Sequence, residues 1–528
     1  MSRFFNTAGP IVLEDHYCID PLTRLDLDEI LSLIDQKKYF VLHAPRQTGK
    51  TSYLYALRDY LNKQGQYKSL HINIETAQAA RENVREGIRT VLTILANEAF
   101  ISLGDSFLED KWEEIFNKRG ELYALQYALM QWCQASEPPI VLFIDEVDSL
   151  VGDTLISLLR QLRSGYEKRP RMFPQSIILC GVRDVRDYRI YSDREKTPIT
   201  GGSAFNVKAK SLRMGNFSPD EIKLLYEQHT RETGQKFNND IFPLVWDLTE
   251  GQPWLVNALA YETCFEMKEG RNREKDITPN TIIQAKENLI LRRETHIHQL
   301  ADKLKEDRVK HVIEPILVGS KEPEKLTDED IDYVVDLGLI QKKPYLRIAN
   351  RIYQEIIPRQ LTYSTELTMT QEASWYVKDD GSLDMDKLLR AFQEFFRRHF
   401  ESWVDGFNYA EAGPQLLLQA FLQRIVNTGG RVEREYGLGR QRTDLLLIWP
   451  YKNSEFIQQV VVELKLRYGS LEKTIEKGLE QTWEYMDKCG TDEGYLLVFD
   501  RSKKASWKEK IFKKEKTFKG IGITVYGM

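Results

Sequence analysis

The stretch YFVLHAPRQTGKTSYL, residues 39–54, allows few folds. An apolar run enters a short loop, and the loop closes on Gly49-Lys50-Thr51 just before a second apolar segment. These three residues end the pattern G-x-x-x-x-G-K-[ST], whose first glycine is here Ala44. Such a loop turns successive backbone N–H groups toward an anion, and the helix after it points its positive end at the same place. Ala44, Pro45, Arg46, Gln47 and Thr48 then form the cradle. Lys50 is placed to reach the β- and γ-phosphate oxygens of a nucleotide, and the Thr51 hydroxyl to bind Mg²⁺. The first glycine serves a turn more than a ligand contact, so alanine is acceptable at 44 if its φ stays negative.

A strand of this kind is buried on both faces, which calls for a parallel sheet. Residues 39–44, 68–74, 139–146 and 176–182 are continuous apolar runs that read as its strands, and residues 81–103 have the apolar spacing of a helix. The run IVLFIDEVDSL ends in Asp145-Glu146. A carboxylate at the end of a neighbouring strand is where Mg²⁺ coordination needs one, so Asp145 is assigned to the metal, directly or through water. Glu146 is assigned to orient or deprotonate the attacking water. The alternative is a pocket that binds nucleotide without hydrolysis, and Glu146 argues against it.

With 528 residues the chain is long enough for roughly three or four domains. Residues 1–210 carry the phosphate loop. Residues 211–293 turn helical, with a Ser-Pro-Asp-Glu helix start at Ser218 and another helix after Gly251, and read as a lid. Residues 294–362 read as helix, helix and short hairpin, the order of a winged helix, which is either a DNA-docking module or a spacer. A polar linker, 363–384, precedes a final domain, 385–528. The net charge of −5 gives no global pull toward nucleic acid or anionic lipid, so any such site must be a local patch. The five cysteines are scattered, without metal-ligand or redox-pair spacing, and read as buried reduced thiols. No apolar run approaches the ~18 residues of a membrane span, and the N-terminus lacks a secretory pattern, so the expected compartment is the cytoplasm.

The last domain holds a second constellation. Residues 442–450 and 458–469 read as a hairpin centred between Asn453 and Ser454. That register sets Asp444 opposite Glu463, and Lys465, two residues on, shares the face of Glu463. Two carboxylates can hold Mg²⁺ or Mn²⁺, and a lysine beside them can position water or stabilise a phosphorane-like transition state. A cross-strand salt bridge is the plainer alternative. Gln481 and Tyr485 lie one turn apart on the next helix. Residues 501–520 carry nine Lys/Arg against two Glu, either a strip for a phosphate backbone or a solvated helix face.

Through APRQTGKT, LFIDEVD, ILCGVRDVRDY and GQPWLV, residues 1–362 resemble the AAA-like P-loop ATPases of the STAND and archaeal-ATPase branch. The resemblance implies an α/β parallel-sheet ATPase domain that binds ATP, with helical lid and winged helix. It makes Arg183 a sensor residue and brings Gly251-Gln252-Pro253 close to the nucleotide. Residues 385–528 resemble the PD-(D/E)xK nuclease superfamily, a restriction-endonuclease-like α/β domain. That likeness makes Asp444, Glu463 and Lys465 the catalytic set, with Asp444 and Glu463 on the metal, and matches Gln481 and Tyr485 to the Q-x-x-x-Y motif of the recombination-nuclease branch. Where many active relatives carry a first-helix acid, this chain has Gln415, with Glu411, Glu433 and Glu435 as nearby substitutes. Together the two likenesses imply an ATP-dependent homo-oligomer that couples nucleotide state to DNA binding and metal-dependent phosphodiester cleavage, in defence against or maintenance of mobile DNA. The alternative is a regulatory ATPase switch whose nuclease-like domain is inactive and only binds DNA or a partner.

Overall fold

The four apolar runs of the first 210 residues become strands of one sheet, and a polar segment joins them. The computed structural model describes residues 3–528 except 184–188, 191–198, 201–204, 293–301, 319–325, 362–375, 405–417, 419–420, 423–430, 435–444, 453–455, 468, 501 and 503–504. The chain divides into two compact units, residues 1–289 with 335–338, and residues 290–334 with 339–528.

In the first unit the strands are β1 (Tyr39–His43), β2 (Lys68–Asn73), β3 (Ile140–Asp145), β4 (Ser176–Gly181) and β5 (Lys208–Arg213), all parallel in the order β2-β3-β4-β1-β5. Helices α1 (Leu27–Asp35) and α2 (Lys50–Gln64) cover one face. There Ile30, Ile34, Leu54 and Leu57 pack on Phe40, Leu42, Phe143 and Ile178. The other face carries α3 (Val84–Leu103), α4 (Phe107–Arg119), α5 (Ala124–Ala135) and α6 (Gly152–Ser164), packed on Val41, Leu70, Ile72, Leu142 and Leu179. Alternate side chains of each central strand thus enter opposite cores, which is why these strands are apolar throughout.

The fifth strand was not among the expected ones, and the boundary placed at residue 210 falls inside it. KAKSLR pairs with β1 at the sheet edge, and within it only Leu212 is buried. An edge strand is held by its backbone on one side, so it needs no apolar run.

The helical segment read from the sequence as a lid follows as α7 (Pro219–Thr233), α8 (Ile241–Thr249), α9 (Pro253–Tyr261) and α10 (Pro279–Arg292). Ser218 caps α7 reciprocally with Glu221, as its spacing predicts. The N-terminal arm is bound to these helices. Phe4–Phe5 pairs with His16–Tyr17, Arg3 Nε donates to Glu232 at 2.9 Å, and Gln228 exchanges two hydrogen bonds with the Cys18 backbone. Phe5, Tyr17, Phe237 and Phe265 enclose the ring of His229.

In the second unit α11 (Asp307–Val318), the main part of α12 (Asp328–Asp336), an antiparallel pair Ile340–Gln341 with Arg347–Ile348, and α13 (Arg351–Leu361) follow the expected helix, helix, hairpin order. After α14 (Met385–Val404) comes a mixed sheet: β6 (Arg431–Arg434), β7 (Leu445–Tyr451), β8 (Phe456–Leu466), β9 (Gly494–Phe499), β10 (Phe512–Phe518) and β11 (Ile521–Gly527), ordered β6-β7-β8-β9-β11-β10. Helix α15 (Leu471–Cys489) is the crossover between the parallel pair β8 and β9. The β7–β8 register runs from Leu445 opposite Val462 to Tyr451 opposite Phe456, the register the sequence predicts for the described part of this hairpin. Helix α14 packs Leu388, Phe392 and Phe396 on Leu447, Val460 and Val462, while Ile475, Leu479 and Met486 of α15 pack on Leu446, Val461 and Leu496. No helix of the described residues is long and apolar enough to cross a membrane.

His229 is fully buried, and its Nε2 lies 2.9 Å from Gln235 Oε1. Burial lowers its pKa below the ordinary 6.5, the Gln235 hydrogen bond opposes this, and the Arg273 charge adds to it. The unfolded chain therefore takes up this proton more readily than the folded one, and stability falls as pH drops below about 6.5. Urea unfolding of His229→Gln followed from pH 7.5 to 5.5 should show a shallower loss than the parent; equal slopes would show that the dependence lies elsewhere.

Candidate functional site

Strand β1 ends at His43 and delivers the loop to the mouth of α2. Ala44 is fully buried and donates its N–H to Gly181 O at 3.3 Å. The left-handed residues of the loop are Gln47 (φ 57°) and Gly49 (φ 95°), not Ala44, so the missing glycine brings no strain. Gly49 caps α2 without a side chain, which leaves the N–H groups of its first turn directed at the loop. Lys50 is buried, and its Nζ donates to Ala44 O at 3.0 Å and Pro45 O at 3.1 Å. Thr48 Oγ1 donates to Pro45 O at 2.8 Å and closes the turn, and Arg46 is exposed beside it.

Thr51 Oγ1 donates to Asp145 Oδ2 at 2.7 Å, so the loop helix and the end of β3 meet. Asp145 has no exposed surface. Burial alone would raise its carboxyl, but hydrogen bonds from His71 and Thr51 outweigh that and hold the pKa below the ordinary value. Glu146 follows in a left-handed conformation (φ 56°) and donates its own N–H to Asp145 Oδ1 at 2.9 Å. Its carboxyl is pushed up by burial and by Asp148 and Asp145, against a weaker pull from Lys50 and Arg46. Asp148 Oδ2 accepts from Val182 N at 3.2 Å, which ties this turn to the residue before Arg183; Arg183 itself is half-buried just beyond β4. A hydroxyl and a carboxylate this close are hard oxygen donors suited to Mg²⁺, and an uncapped helix start beside a buried ammonium suits phosphate. The residues present fit a nucleotide with its metal.

Two side chains here gave little or no signal in the sequence. Arg24, ahead of α1, donates to Thr48 O at 3.3 Å and to Gly215 O, and stacks over Phe217 at 4.5 Å, so one guanidinium joins the loop to the start of the lid. No local pattern marks it. His71 of β2 places Nε2 3.4 Å from Asp145 Oδ2; among Lys68, Ser69 and Asn73 of the same strand, nothing in KSLHIN set its ring nitrogen apart.

Pro253 begins α9, and Gln252 caps that helix by accepting from Leu255 N at 2.6 Å. Phe217 N donates to Gly251 O at 2.8 Å. Trp254 Nε1 donates to Thr7 O at 2.8 Å, and Ile11 N to Ser52 Oγ at 3.0 Å. Residues 7–11 therefore run from α9 to the first turn of α2.

In the second unit Glu463 and Lys465 follow Val461 on the face of β8 covered by α15. Glu463 is 1% exposed, and Lys465 Nζ donates to its Oε1. Gln481 and Tyr485 lie on α15, both half-buried. The Oε1 of Gln481 is buried with no hydrogen-bond partner among the described residues. Asp444, Glu411, Gln415 and Glu435 lie outside the described residues. The basic tail is in part the edge strand β10 and not the helix face expected as its alternative, with only Trp507–Lys510 helical; Lys513 pairs with Asp386, and Lys519 lies over the Trp483 ring at 3.7 Å. Lysines on an edge strand also block unwanted pairing, a second physical reason for the strip.

A family profile described as an AAA-like domain matches residues 28–355. No curated protein matches the chain. Among solved structures, the Walker-type ATPase PABY2304 of Pyrococcus abyssi is similar at 14% identity over 67% of this chain and 99% of its own, with a TM-score of 0.46. Cdc6p from Pyrobaculum aerophilum is similar at 14% identity over 65% of this chain and 93% of its own, with a TM-score of 0.34. A RuvB variant of Thermotoga maritima is similar at 12% identity over 69% and 99%, also at 0.34. At such identities and TM-scores these likenesses decide neither ligand nor partner.

Gly251 has φ 70°, and a Cβ there would meet Phe217 O at 2.0 Å, a backbone atom that cannot swing aside. Gly251→Ala should cost about 3 kcal/mol of lid stability, read as a lower thermal midpoint and faster proteolysis between α8 and α9.

Proposed function

Because the chain belongs to the AAA-like domain family, whose profile spans more than half of it, we propose that its first unit binds ATP with Mg²⁺ and hydrolyses it. The observation that carries this reading is the Thr51–Asp145 contact beside buried Lys50 at an uncapped helix start. In it, backbone N–H groups from Arg46 to Thr51 hold the phosphates, and Lys50 neutralises the β- and γ-oxygens. Thr51 and Asp145 hold the metal, whose charge stabilises the phosphoryl oxygens when bound. Glu146, with its raised pKa, orients the attacking water and accepts its proton. Arg183 senses the γ-phosphate, and Pro253 with residues 7–11 lines the base pocket. The ATPase domain is extended to Arg213 to include β5, ahead of the lid.

The same proposal reads the helix, helix, hairpin module as a winged helix that docks DNA, and residues 385–528 as a nuclease-like domain of an ATP-dependent oligomer. Asp444 and Glu463 would hold Mg²⁺ or Mn²⁺, with Lys465, Gln481 and Tyr485 around the scissile phosphate. The placement of Glu463, Lys465, Gln481 and Tyr485 between β8 and α15 supports this reading. One observation favours the switch instead: Glu463 is almost fully covered and closed in an ion pair with Lys465. In that second reading the last domain binds DNA or a partner without cutting.

Lys50→Ala should reduce phosphate release by about 100-fold or more, while Glu146→Gln should keep binding of a fluorescent ATP analogue and lose turnover to a similar degree. Full turnover in Lys50→Ala would remove the assignment. At the second centre, the parent should nick or cut plasmid with Mg²⁺ or Mn²⁺, and Glu463→Ala or Lys465→Ala should abolish it. Cutting that survives both changes rejects these residues, and a parent that never cuts supports the switch.

A further inference from the structure

Asp145 is a buried carboxylate that, on the nucleotide reading above, must present an oxygen to a cation in one orientation. Its Oδ1 accepts from Glu146 N at 2.9 Å and its Oδ2 from Thr51 Oγ1 at 2.7 Å. Both donors sit on the parts that would handle nucleotide and water. A third donor stands apart from them. His71 lies in β2, where Asn73 pairs with Asp145 in register, so the sheet itself sets the ring beside the carboxylate. The ring is 5% exposed and lies edge-on to Tyr55 of α2, with centroids 4.7 Å apart at 77°. Walled in on these sides, it brings Nε2 to 3.4 Å from Oδ2. That is long for a hydrogen bond, but it is made in a dry site where a charged acceptor strengthens it.

We infer that His71 is a positioning residue for Asp145: in the tautomer with its proton on Nε2 it donates to Oδ2 and fixes the carboxylate plane, so that the cation at Thr51 meets a ligand already oriented. The inference rests on the nucleotide–metal reading and deepens it. Partners of metal ligands typically contribute about 10–100-fold in metal affinity by this means. A purely structural histidine would act through volume and through its Tyr55 contact instead.

Two substitutions separate the roles. His71→Phe keeps a ring against Tyr55 and removes the donor, whereas His71→Gln keeps an N–H donor and removes the ring. Calorimetric binding of adenylyl imidodiphosphate would be measured in EDTA and across a Mg²⁺ series, with direct Mn²⁺ binding by electron paramagnetic resonance. We expect His71→Phe to raise the Mg²⁺ midpoint by about tenfold with the EDTA affinity unchanged, and His71→Gln to stay within about threefold of the parent. A parental Mg²⁺ midpoint in His71→Phe overturns the inference. So does an equal defect in both variants, or a fall in EDTA affinity that matches the Mg²⁺ effect, since each marks packing. A parent whose binding ignores Mg²⁺ altogether overturns the nucleotide–metal reading itself, which the parent measurement alone reveals.

Discussion

A carboxylate with no exposed surface ends β3, and it keeps its charge because donors from separate elements converge on it. Thr51 comes from the helix after the loop, His71 from β2, and the N–H of Glu146 from the turn beyond. Removing any of these leaves a buried charge short of a partner, which is costly in a low-dielectric interior. The order β2-β3-β4-β1-β5 is what brings them together. Parallel strands release their chains at the same edge, so the loop after β1, the acids after β3 and Arg183 after β4 all emerge there.

The helical segment that follows is joined to this edge by contacts that use backbone as much as side chain. Arg24 binds two carbonyls, one in the loop and one ahead of α7, while Gly251 lies against Phe217 closely enough to exclude any side chain. The N-terminal arm adds a further tie from Thr7 at α9 to Ile11 at α2. The second unit has its own organising contact, the Lys465–Glu463 pair under α15, where a charge on an otherwise apolar face is balanced within one strand.

Much of this was legible in the chain. Gly49-Lys50-Thr51 and the apolar run into Asp145 imply a strand–loop–helix with an acid at a nearby strand end; β4 lies between β1 and β3, so the two strands are not the direct neighbours expected, yet Thr51 does touch Asp145. Ser218 and Glu221 form the capping box their spacing predicts. Centring the hairpin between Asn453 and Ser454 predicted its register, and the described pairs keep it from Leu445 opposite Val462 to Tyr451 opposite Phe456. Strand β5 was not legible, since KAKSLR is held by backbone pairing that leaves no apolar period. Nor was Arg24, whose partners Thr48 and Gly215 are carbonyls far along the chain.

The amino-acid sequence by itself determined the elements and the phosphate loop, since periodicity, caps and glycine positions act within a few residues. It also determined which faces of the strands are buried, because a side chain's polarity sets the cost of leaving water. Only the tertiary structure decided which distant groups meet: His71 with Asp145, Arg24 with the loop and the lid, Gly251 with Phe217. Such contacts depend on strand order and on the closeness of packing, and neither leaves a mark in the local order of residues.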